Sequence, residues 1–113
     1  MADTLFMKII NHEISADIIY EDDQCLAFRD ISPQAPMHVL LLPKKPIEKL
    51  SDAEVDDQSL LGYLMLKASD IARDEGYGDV FRLVVNNGSG AGQSVFHLHI
   101  HILAGRTMNW PPG

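Results

Sequence analysis

Three of the five histidines lie in one short stretch of the chain, at alternate positions: His97, His99 and His101. On a β-strand, side chains alternate between the two faces, so these imidazoles would line one face, about 6–7 Å from one to the next. The residues between and beside them are apolar and would face the core: Phe96, Leu98, Ile100 and Ile102. An isolated histidine is usually just a packed or hydrogen-bonded residue, but three in strict alternation indicate a functional face.

A zinc site is one interpretation of this face. Two histidines at positions i and i+2 of a strand can share a tetrahedral zinc ion. The first and third histidines, however, would be about 13 Å apart, too far for all three to bind one ion. The single cysteine, Cys25, belongs to a distant part of the chain. We therefore predict no metal ion, and no other cofactor.

Phosphoryl-group chemistry is the interpretation that the neighbouring sequence favours. The pKa of a free imidazole is ~6.5, so its unprotonated form is abundant at neutral pH and can attack phosphorus. A glycine-rich loop, residues 88–94, comes directly before the histidines. Glycine lets the backbone approach an anion closely, so that N–H groups converge on it. The loop lacks a Walker motif, and we interpret it, together with Ser94 and the histidines, as a phosphate cradle.

The apolar pattern predicts the elements that position these residues. Five strands are expected, at residues 18–21, 25–30, 38–43, 81–87 and 95–103. Thr4 caps a first helix over residues 5–11, and a capping box of Ser51 and Glu54 opens a second helix. That helix runs to Glu75, and Gly76 suits a left-handed C-terminal cap. The pattern predicts one α+β domain over residues 1–113, with a mainly antiparallel sheet and an irregular tail, residues 104–113.

Composition and charge exclude several classes of protein. The chain has 113 residues, 46% hydrophobic and 22% charged, which is typical of one globular domain and not of a disordered chain. Its net charge of −7 disfavours binding to DNA or RNA but not to a single nucleotide. The N-terminus lacks the features of a signal peptide, and no apolar run approaches the ~20 residues of a membrane span. With one cysteine, these features predict a cytoplasmic protein without membrane contact.

The sequence resembles the histidine triad (HIT) family, whose signature alternates three histidines with hydrophobic residues and ends in two hydrophobic residues. Residues 97–103 read HLHIHIL. Further stretches resemble the Hint branch, the purine nucleoside phosphoramidases: FRDISPQAP at 28–36, PKK at 43–45, GQSV at 92–95 and WPPG at 110–113. The resemblance extends from about Asp3 to the C-terminus. It implies a HIT-like fold whose five-stranded sheet continues into a second copy in a homodimer, with Trp110 of the tail near the partner's site.

The resemblance implies covalent catalysis by His99. This histidine corresponds to the nucleophile that attacks the α-phosphorus of a purine nucleoside 5′-phosphoramidate, so that the amine leaves and a nucleotidyl-histidine forms. Water then releases the nucleoside monophosphate. His97 and His101 correspond to flanking groups that orient the nucleophile and contact the phosphate. His38 corresponds to a fourth histidine in a hydrogen-bond relay, and Ser94 to a hydroxyl that assists the leaving group.

Nucleotide-binding residues are implied as well. Asp30 would bind the ribose, because a carboxylate can accept hydrogen bonds from two hydroxyls. The residues that would hold and orient the phosphate are Asn86, Gly92, Gln93, Ser94, His99 and His101. The residues that would form the slot for the base are Phe6, Ile10, Phe28 and Ile31. From the hydrophobic pattern alone, these last four are simply core residues.

The chain departs from the family pattern at Pro46, where many Hint proteins carry a histidine. This position is outside the triad, so the chemistry is expected to persist, but a metal site that needs a histidine there is excluded. Two other functions stay open at this point. One is the hydrolysis of dinucleoside polyphosphates, by another branch of the family. The other is a nucleotide-binding regulatory module with little catalysis.

Overall fold

A five-stranded antiparallel sheet with one helix on each face positions the histidines. The structure, a computed structural model, describes residues 4–113. The strands lie in the order β1-β2-β3-β5-β4: β1 Ile18–Glu21, β2 Cys25–Arg29, β3 Met37–Pro43, β4 Arg82–Val84 and β5 Ile100–Ala104. The helices are α1, Leu5–Ile10, and α2, Gln58–Asp74. The predicted α+β architecture is confirmed.

The two faces of the sheet carry separate hydrophobic cores, and β3 is buried along its whole length between them. One core lies beneath α2: Cys25, Ala27, Met37, Val39, Leu41, Leu64, Ala68, Ile71, Ala72, Ile100, Ile102 and Ala104. The other lies beneath α1: Phe6, Ile9, Ile10, Leu26, Phe28, Leu40 and Leu42. Because His101 pairs with Leu40 across β3 and β5, His101 lies on the α1 face of the sheet, and so does His38, two residues before Leu40.

The predicted cap at the start of α1 and the predicted cap at the end of α2 are both present. The Thr4 side chain accepts a hydrogen bond from the backbone N–H of Met7 at 3.1 Å, which fixes the start of α1. After α2, Gly76 has a φ of +94°, and its N–H donates to the carbonyl oxygen of Arg73 at 2.9 Å. Glycine adopts this left-handed conformation without a steric penalty, so the chain turns back to the sheet there.

The start of α2 was predicted wrongly. A capping box of Glu54 and Asp57 opens a 3₁₀ turn, Val55–Asp57, and α2 follows it directly from Gln58. Ser51 lies in a preceding 3₁₀ turn, Leu50–Asp52, and its N–H donates to the Asn87 side chain at 2.8 Å. The Asp57 side chain accepts a hydrogen bond from the N–H of Glu54 at 3.0 Å, and it is held in place by burial and by a hydrogen bond from Lys45, after β3, at 2.5 Å.

The last strand begins five residues later than predicted. Continuation of the β3–β5 register would bring Leu98 opposite Pro43, which has no N–H to donate. The N–H of Leu98 instead donates to the carbonyl oxygen of Ile47 at 2.7 Å. Phe96, expected in the core, lies in this irregular segment and is 40% exposed. One histidine of the triad therefore lies within the strand and two precede it.

The tail was predicted to start at residue 104, but Ala104 is buried and ends β5; residues 105–113 contain neither helix nor strand. Trp110 is 82% exposed on the single chain, and its position beside a partner subunit stays a prediction. Within residues 4–113, none of the helices has the length and apolar character needed to cross a membrane. The predicted absence of an export signal also concerns residues 1–3, which lie outside the described part.

Candidate active site

His99 lines a cavity on the α1 face of the sheet, directly before β5. Its ring is buried and packs edge-on against Phe6 of α1, with ring centroids 4.9 Å apart. The Nδ1 atom of His99 lies 2.7 Å from the carbonyl oxygen of His97. Because a carbonyl oxygen only accepts hydrogen bonds, Nδ1 carries the ring proton. The other ring nitrogen, Nε2, therefore keeps an unshared electron pair.

His97 anchors the segment that carries His99. Its side chain is 2% exposed and is not part of the cavity wall. The Nε2 atom donates to the carbonyl oxygen of Pro43, at the end of β3, at 2.7 Å. His97 thus orients His99 through its backbone carbonyl group. The sequence-based expectation that its imidazole contacts the phosphate stays a prediction, because the ring is buried against Pro43 and not in the cavity wall.

His38 and His101 form a relay whose protons are fixed by one backbone group. The N–H of Gln34 donates to His38 Nδ1 at 3.0 Å, so the ring proton of His38 is on Nε2. That Nε2 atom lies 2.9 Å from His101 Nδ1 and donates to it. The proton of His101 is then on its own Nε2, and its ring lines the cavity beside His99, with centroids 5.1 Å apart. No sequence pattern indicated Gln34, because it acts through its backbone.

The neutral form predominates at pH 7 in all four histidines of this cluster, because each pKa lies below the ordinary value of 6.5. Burial is the largest cause in each case, and it lowers the pKa of His38, His97 and His99 below the ordinary value. The pKa of His101 falls to about 4, since burial is reinforced by the neighbouring His99 and His38 rings. The Asp30 carboxylate raises the pKa of His38, His99 and His101, but by less than burial lowers it. The electron pair on His99 Nε2 is therefore available at neutral pH.

The cavity has a volume of about 350 Å³ and combines apolar with polar walls. Its apolar residues are Leu5, Phe6, Ile9, Ile14, Ala16, Phe28, Ile31, Leu40 and Val95. Its polar residues are Ser15, Asp30, Ser94, His99 and His101. This volume lies within the range of sites that bind small molecules.

Ile10 is the one residue of the predicted base slot that is not in the cavity wall, and Ile9 takes its place. Successive residues of a helix are rotated by about 100°, so Leu5 and Ile9 lie on one side of Phe6 and Ile10 on the other. Ile10 belongs to the core beneath α1. Ile31 is fully exposed in the single chain and forms part of the cavity rim.

Asp30 follows β2 and faces both the cavity and the relay. One carboxylate oxygen accepts a hydrogen bond from the N–H of Ser32 at 2.8 Å. The other lies 3.5 Å from His38 Nε2. A carboxylate has about four acceptor positions, so Asp30 can still accept hydrogen bonds from hydroxyls in the cavity.

Gln93 braces the glycine-rich loop from inside. It is 3% exposed, and its amide N–H groups donate to the carbonyl oxygens of Glu48 at 2.8 Å and Val95 at 3.1 Å. Its amide oxygen accepts a hydrogen bond from the N–H of Gly88 at 2.8 Å. Gln93 is absent from the cavity wall, so its side chain shapes the loop and does not face a ligand there.

Ser94 is the residue of this loop that reaches the cavity wall, and it is exposed. Gly92 has a φ of +100°, and a Cβ atom at that position would lie 3.7 Å from the Asn86 amide nitrogen. Neither Gly92 nor Asn86 contributes to the cavity wall. Their predicted contacts with a phosphate therefore stay predictions, whereas the structure places Ser94 at the same cavity as His99.

The chain belongs to the HIT domain family, whose sequence model matches residues 11–108. It is 63% identical over 111 residues to an uncharacterized HIT-like protein of Synechocystis, covering 98% of this chain and 97% of that protein. It is 49% identical over 112 residues to a 14 kDa zinc-binding protein of Zea mays, covering 97% of this chain and 88% of that one. The crystal structure of a HIT family hydrolase from Legionella pneumophila superposes with a TM-score of 0.96 at 48% identity, covering 98% of this chain and 100% of the other.

The name of the maize relative raises the question of whether this chain can hold a metal ion. Within residues 4–113, donor atoms of Asp30, His38 and His101 lie within 4.8 Å of one another. A metal ion needs an unshared pair from each imidazole. The Nε2 atom of His38 carries a proton and offers no electron pair, because Nδ1 of the same ring accepts a hydrogen bond from the Gln34 N–H. The electron pair of His101 Nδ1 already accepts a hydrogen bond from His38. The donor set does not fit a metal ion in this arrangement.

Proposed function

We propose that this protein hydrolyses the P–N bond of purine nucleoside 5′-phosphoramidates through a nucleotidyl-His99 intermediate. The observation that carries the proposal is the unprotonated Nε2 atom of His99 on a buried, neutral ring that lines a nucleotide-sized cavity. The similarity to the Legionella protein, a HIT family hydrolase, supports a hydrolytic activity. The Hint-like stretches favour the phosphoramidate as substrate.

The reaction proceeds in two displacements. His99 Nε2 bonds to the α-phosphorus as the P–N bond breaks, and the departing amine takes a proton that the Ser94 hydroxyl relays from water. His99 keeps its Nδ1 proton on the His97 carbonyl oxygen, so the phosphorylated ring carries a positive charge and is a good leaving group. Water then attacks phosphorus, the P–Nε2 bond breaks, and the proton borrowed in the first displacement is returned to solvent. His101 Nε2–H donates to a phosphate oxygen throughout.

Different parts of the cavity wall suit the base, the ribose and the phosphate of a nucleotide. Phe6 and Phe28 offer a hydrophobic surface for a purine, and their rings contact each other edge-on at 5.5 Å. Asp30 offers carboxylate acceptors for the ribose hydroxyls. The phosphate then lies between Ser94 and the two histidines of the wall. Each part of the proposed substrate thus meets a group of matching chemistry.

Steady-state kinetics on a matched set of substrates test the proposal. Adenosine and guanosine 5′-phosphoramidates are compared with diadenosine polyphosphates, at equal concentrations. We expect kcat/KM for at least one phosphoramidate to exceed that for every dinucleotide. A preference for dinucleotides would assign the chain to the other hydrolytic branch, and nucleotide binding without turnover of either would indicate a regulatory module.

The Ser94→Ala variant is expected to lower kcat by about 10–100-fold, because it removes one hydrogen bond to the leaving group but not the nucleophile. The change should be smaller for a substrate whose amine leaves easily, such as an arylamine. Ser59→Ala, at an exposed position of α2 outside the cavity wall, is the control and should behave like the wild type. An equal loss for alkylamine and arylamine substrates would contradict the role given to Ser94.

The protein is further proposed to form a homodimer through the free edge of β4. This strand is the last of the sheet and pairs only with β5 in the described chain. Beside it lies an apolar cavity whose wall includes Leu50, Met65 and Val85. Met65 is 54% exposed and Val85 36%, so a second copy on this side would bury apolar surface and continue the sheet.

Met65→Glu is expected to convert this dimer into a monomer, because it would bury a carboxylate in an apolar interface. Light scattering coupled to size-exclusion chromatography measures the mass directly. Lys8→Glu, on the exposed side of α1 and on the opposite face of the sheet, should leave the mass unchanged. A wild-type mass equal to one 12.6 kDa chain would contradict the dimer.

A further inference from the structure

The turn after β5 packs tightly against the loop between β2 and β3. Gly105 has a φ of +99°, and a Cβ atom there would lie 2.8 Å from Cβ of Pro36, closer than two such atoms come in proteins. Only glycine therefore allows this approach. The next residue, Arg106, uses the proximity, because its Nε–H donates to the carbonyl oxygen of Gln34 at 2.9 Å. Its Nη1 donates to the carbonyl oxygen of Thr107 at 3.0 Å, which fixes the guanidinium.

Gln34 is the residue whose N–H determines the proton position on His38. Arg106 holds the carbonyl group of Gln34, and the Gln34 side chain donates to the carbonyl oxygen of Ser32 at 2.9 Å. The first contact holds the peptide unit after Gln34 and the second ties the Gln34 side chain to Ser32, so together they restrict the backbone torsions of Gln34. They keep its N–H directed at His38 Nδ1, 3.0 Å away.

The relay has two internally consistent proton arrangements. In the one that the Gln34 contact requires, His38 donates from Nε2 to His101 Nδ1, and His101 presents an N–H from its own Nε2. In the other, His38 is protonated on Nδ1, accepts at Nε2 from His101 Nδ1–H, and leaves His101 Nε2 with a bare electron pair. The second arrangement is blocked as long as the Gln34 N–H donates to His38 Nδ1, because two hydrogens would then collide. A bare electron pair on His101 would repel a phosphate oxygen instead of donating to it.

We propose that Arg106 is a positioning residue for the reaction: through Gln34 it selects the relay arrangement in which His101 donates a hydrogen bond to the substrate. This inference rests on the proposed function for its catalytic consequence, but not for its structural one. Arginine suits this positioning role because its planar guanidinium can donate to two carbonyl oxygens at once, whereas lysine carries a single ammonium group on a flexible side chain. Arg106 itself is absent from the cavity wall that His99 lines, so it acts through other residues.

The test compares Arg106→Ala and Arg106→Lys with the wild type, with Arg73→Ala as control. Arg73 is an exposed arginine of α2 that pairs with Asp70 at 3.0 Å. Nitrogen-15 NMR of the histidine rings distinguishes the protonated from the bare ring nitrogen. We expect one His38 tautomer in the wild type and in Arg73→Ala, both tautomers in Arg106→Ala, and an intermediate spectrum in Arg106→Lys. For phosphoramidate hydrolysis by Arg106→Ala, we expect kcat to fall about 10-fold with KM changed by less than about 3-fold.

The outcomes separate this inference from the proposed function. A wild-type-like His38 spectrum in Arg106→Ala overturns the inference, whether kcat falls or not, because any loss would then be merely structural. Two tautomers together with an unchanged kcat overturn its catalytic part. If the wild type hydrolyses no phosphoramidate but the spectrum of Arg106→Ala changes as expected, the proposed function is wrong and the tautomer selection by Arg106 is supported.

Discussion

Replacing His99 with alanine is expected to lower kcat/KM for adenosine 5′-phosphoramidate by about 10⁴-fold or more, because no other group can form the covalent intermediate. The structure leaves no substitute nearby among residues 4–113. The His97 ring is directed at Pro43, and the His101 Nε2 atom carries a proton. The affinity for AMP should change far less, since most of the cavity wall is untouched. Kinetics and calorimetric titration with AMP measure the two effects separately.

His12→Ala is the control for this prediction. His12 follows α1, is exposed, lies outside the cavity wall, and has its Nε2 atom 3.2 Å from the Glu21 carboxylate. It should retain wild-type rates, which shows that loss of a histidine as such has no effect. If His99→Ala kept more than about a tenth of the wild-type rate, with its fold verified by circular dichroism, the covalent role of His99 would be wrong.

Acidification is expected to destabilise the fold between pH 6.5 and 4, before most carboxylates titrate. The pKa of His101 is lowered to about 4 by burial and by His99 and His38, whereas an unfolded histidine has a pKa of ~6.5. Below pH 6.5 the unfolded chain therefore binds protons that the folded chain does not, and stability is lost as the pH falls. His101 alone should contribute about 2–3 kcal/mol of this loss between pH 7 and pH 4.5. Urea unfolding at several pH values measures it.

A matched variant isolates the contribution of His101. His101→Gln removes the titrating group and keeps hydrogen-bonding groups. Between pH 7 and pH 4.5, the free energy of unfolding of this variant should fall by about 2–3 kcal/mol less than that of the wild type. Ser59→Ala, which removes no titratable group from the exposed side of α2, should fall as much as the wild type does. Identical pH profiles for His101→Gln and the wild type would show that His101 is not held neutral in the fold.

The sequence correctly predicted the order of the two helices and five strands, and it predicted which side chains of β5 face the core. Alternation of histidine with apolar residues correctly placed Ile100 and Ile102 in the core, which here is the one beneath α2, and His101 on the other face. The same alternation wrongly placed Phe96 in the core. The prediction continued β5 back to Phe96, past the position opposite Pro43, where the hydrogen bonding between β3 and β5 has already ended. A proline in the neighbouring strand is visible in the sequence, but its effect depends on the register, which local patterns do not determine.

The site required the structure because its decisive contacts join residues far apart in the chain. The carbonyl oxygens that fix the tautomers of His97 and His99 and the N–H that fixes His38 are backbone groups, which every residue possesses. Sequence patterns therefore do not single out Gln34. Nor do they show that Gln93, an exposed residue by type, is buried as a brace of the loop. Resemblance suggested roles for these residues, but only coordinates show which atoms face each other.

Rapid-quench trapping during hydrolysis tests the covalent role of His99 most directly. The wild-type enzyme is mixed with an adenosine 5′-phosphoramidate labelled in the phosphate, quenched in alkali within milliseconds, digested and mapped. We predict an acid-labile, alkali-stable label on Nε2 of His99 that forms before AMP is released and is absent from His99→Ala. Release of AMP at the full wild-type rate with no such label, or with the label on another residue, would contradict the covalent mechanism.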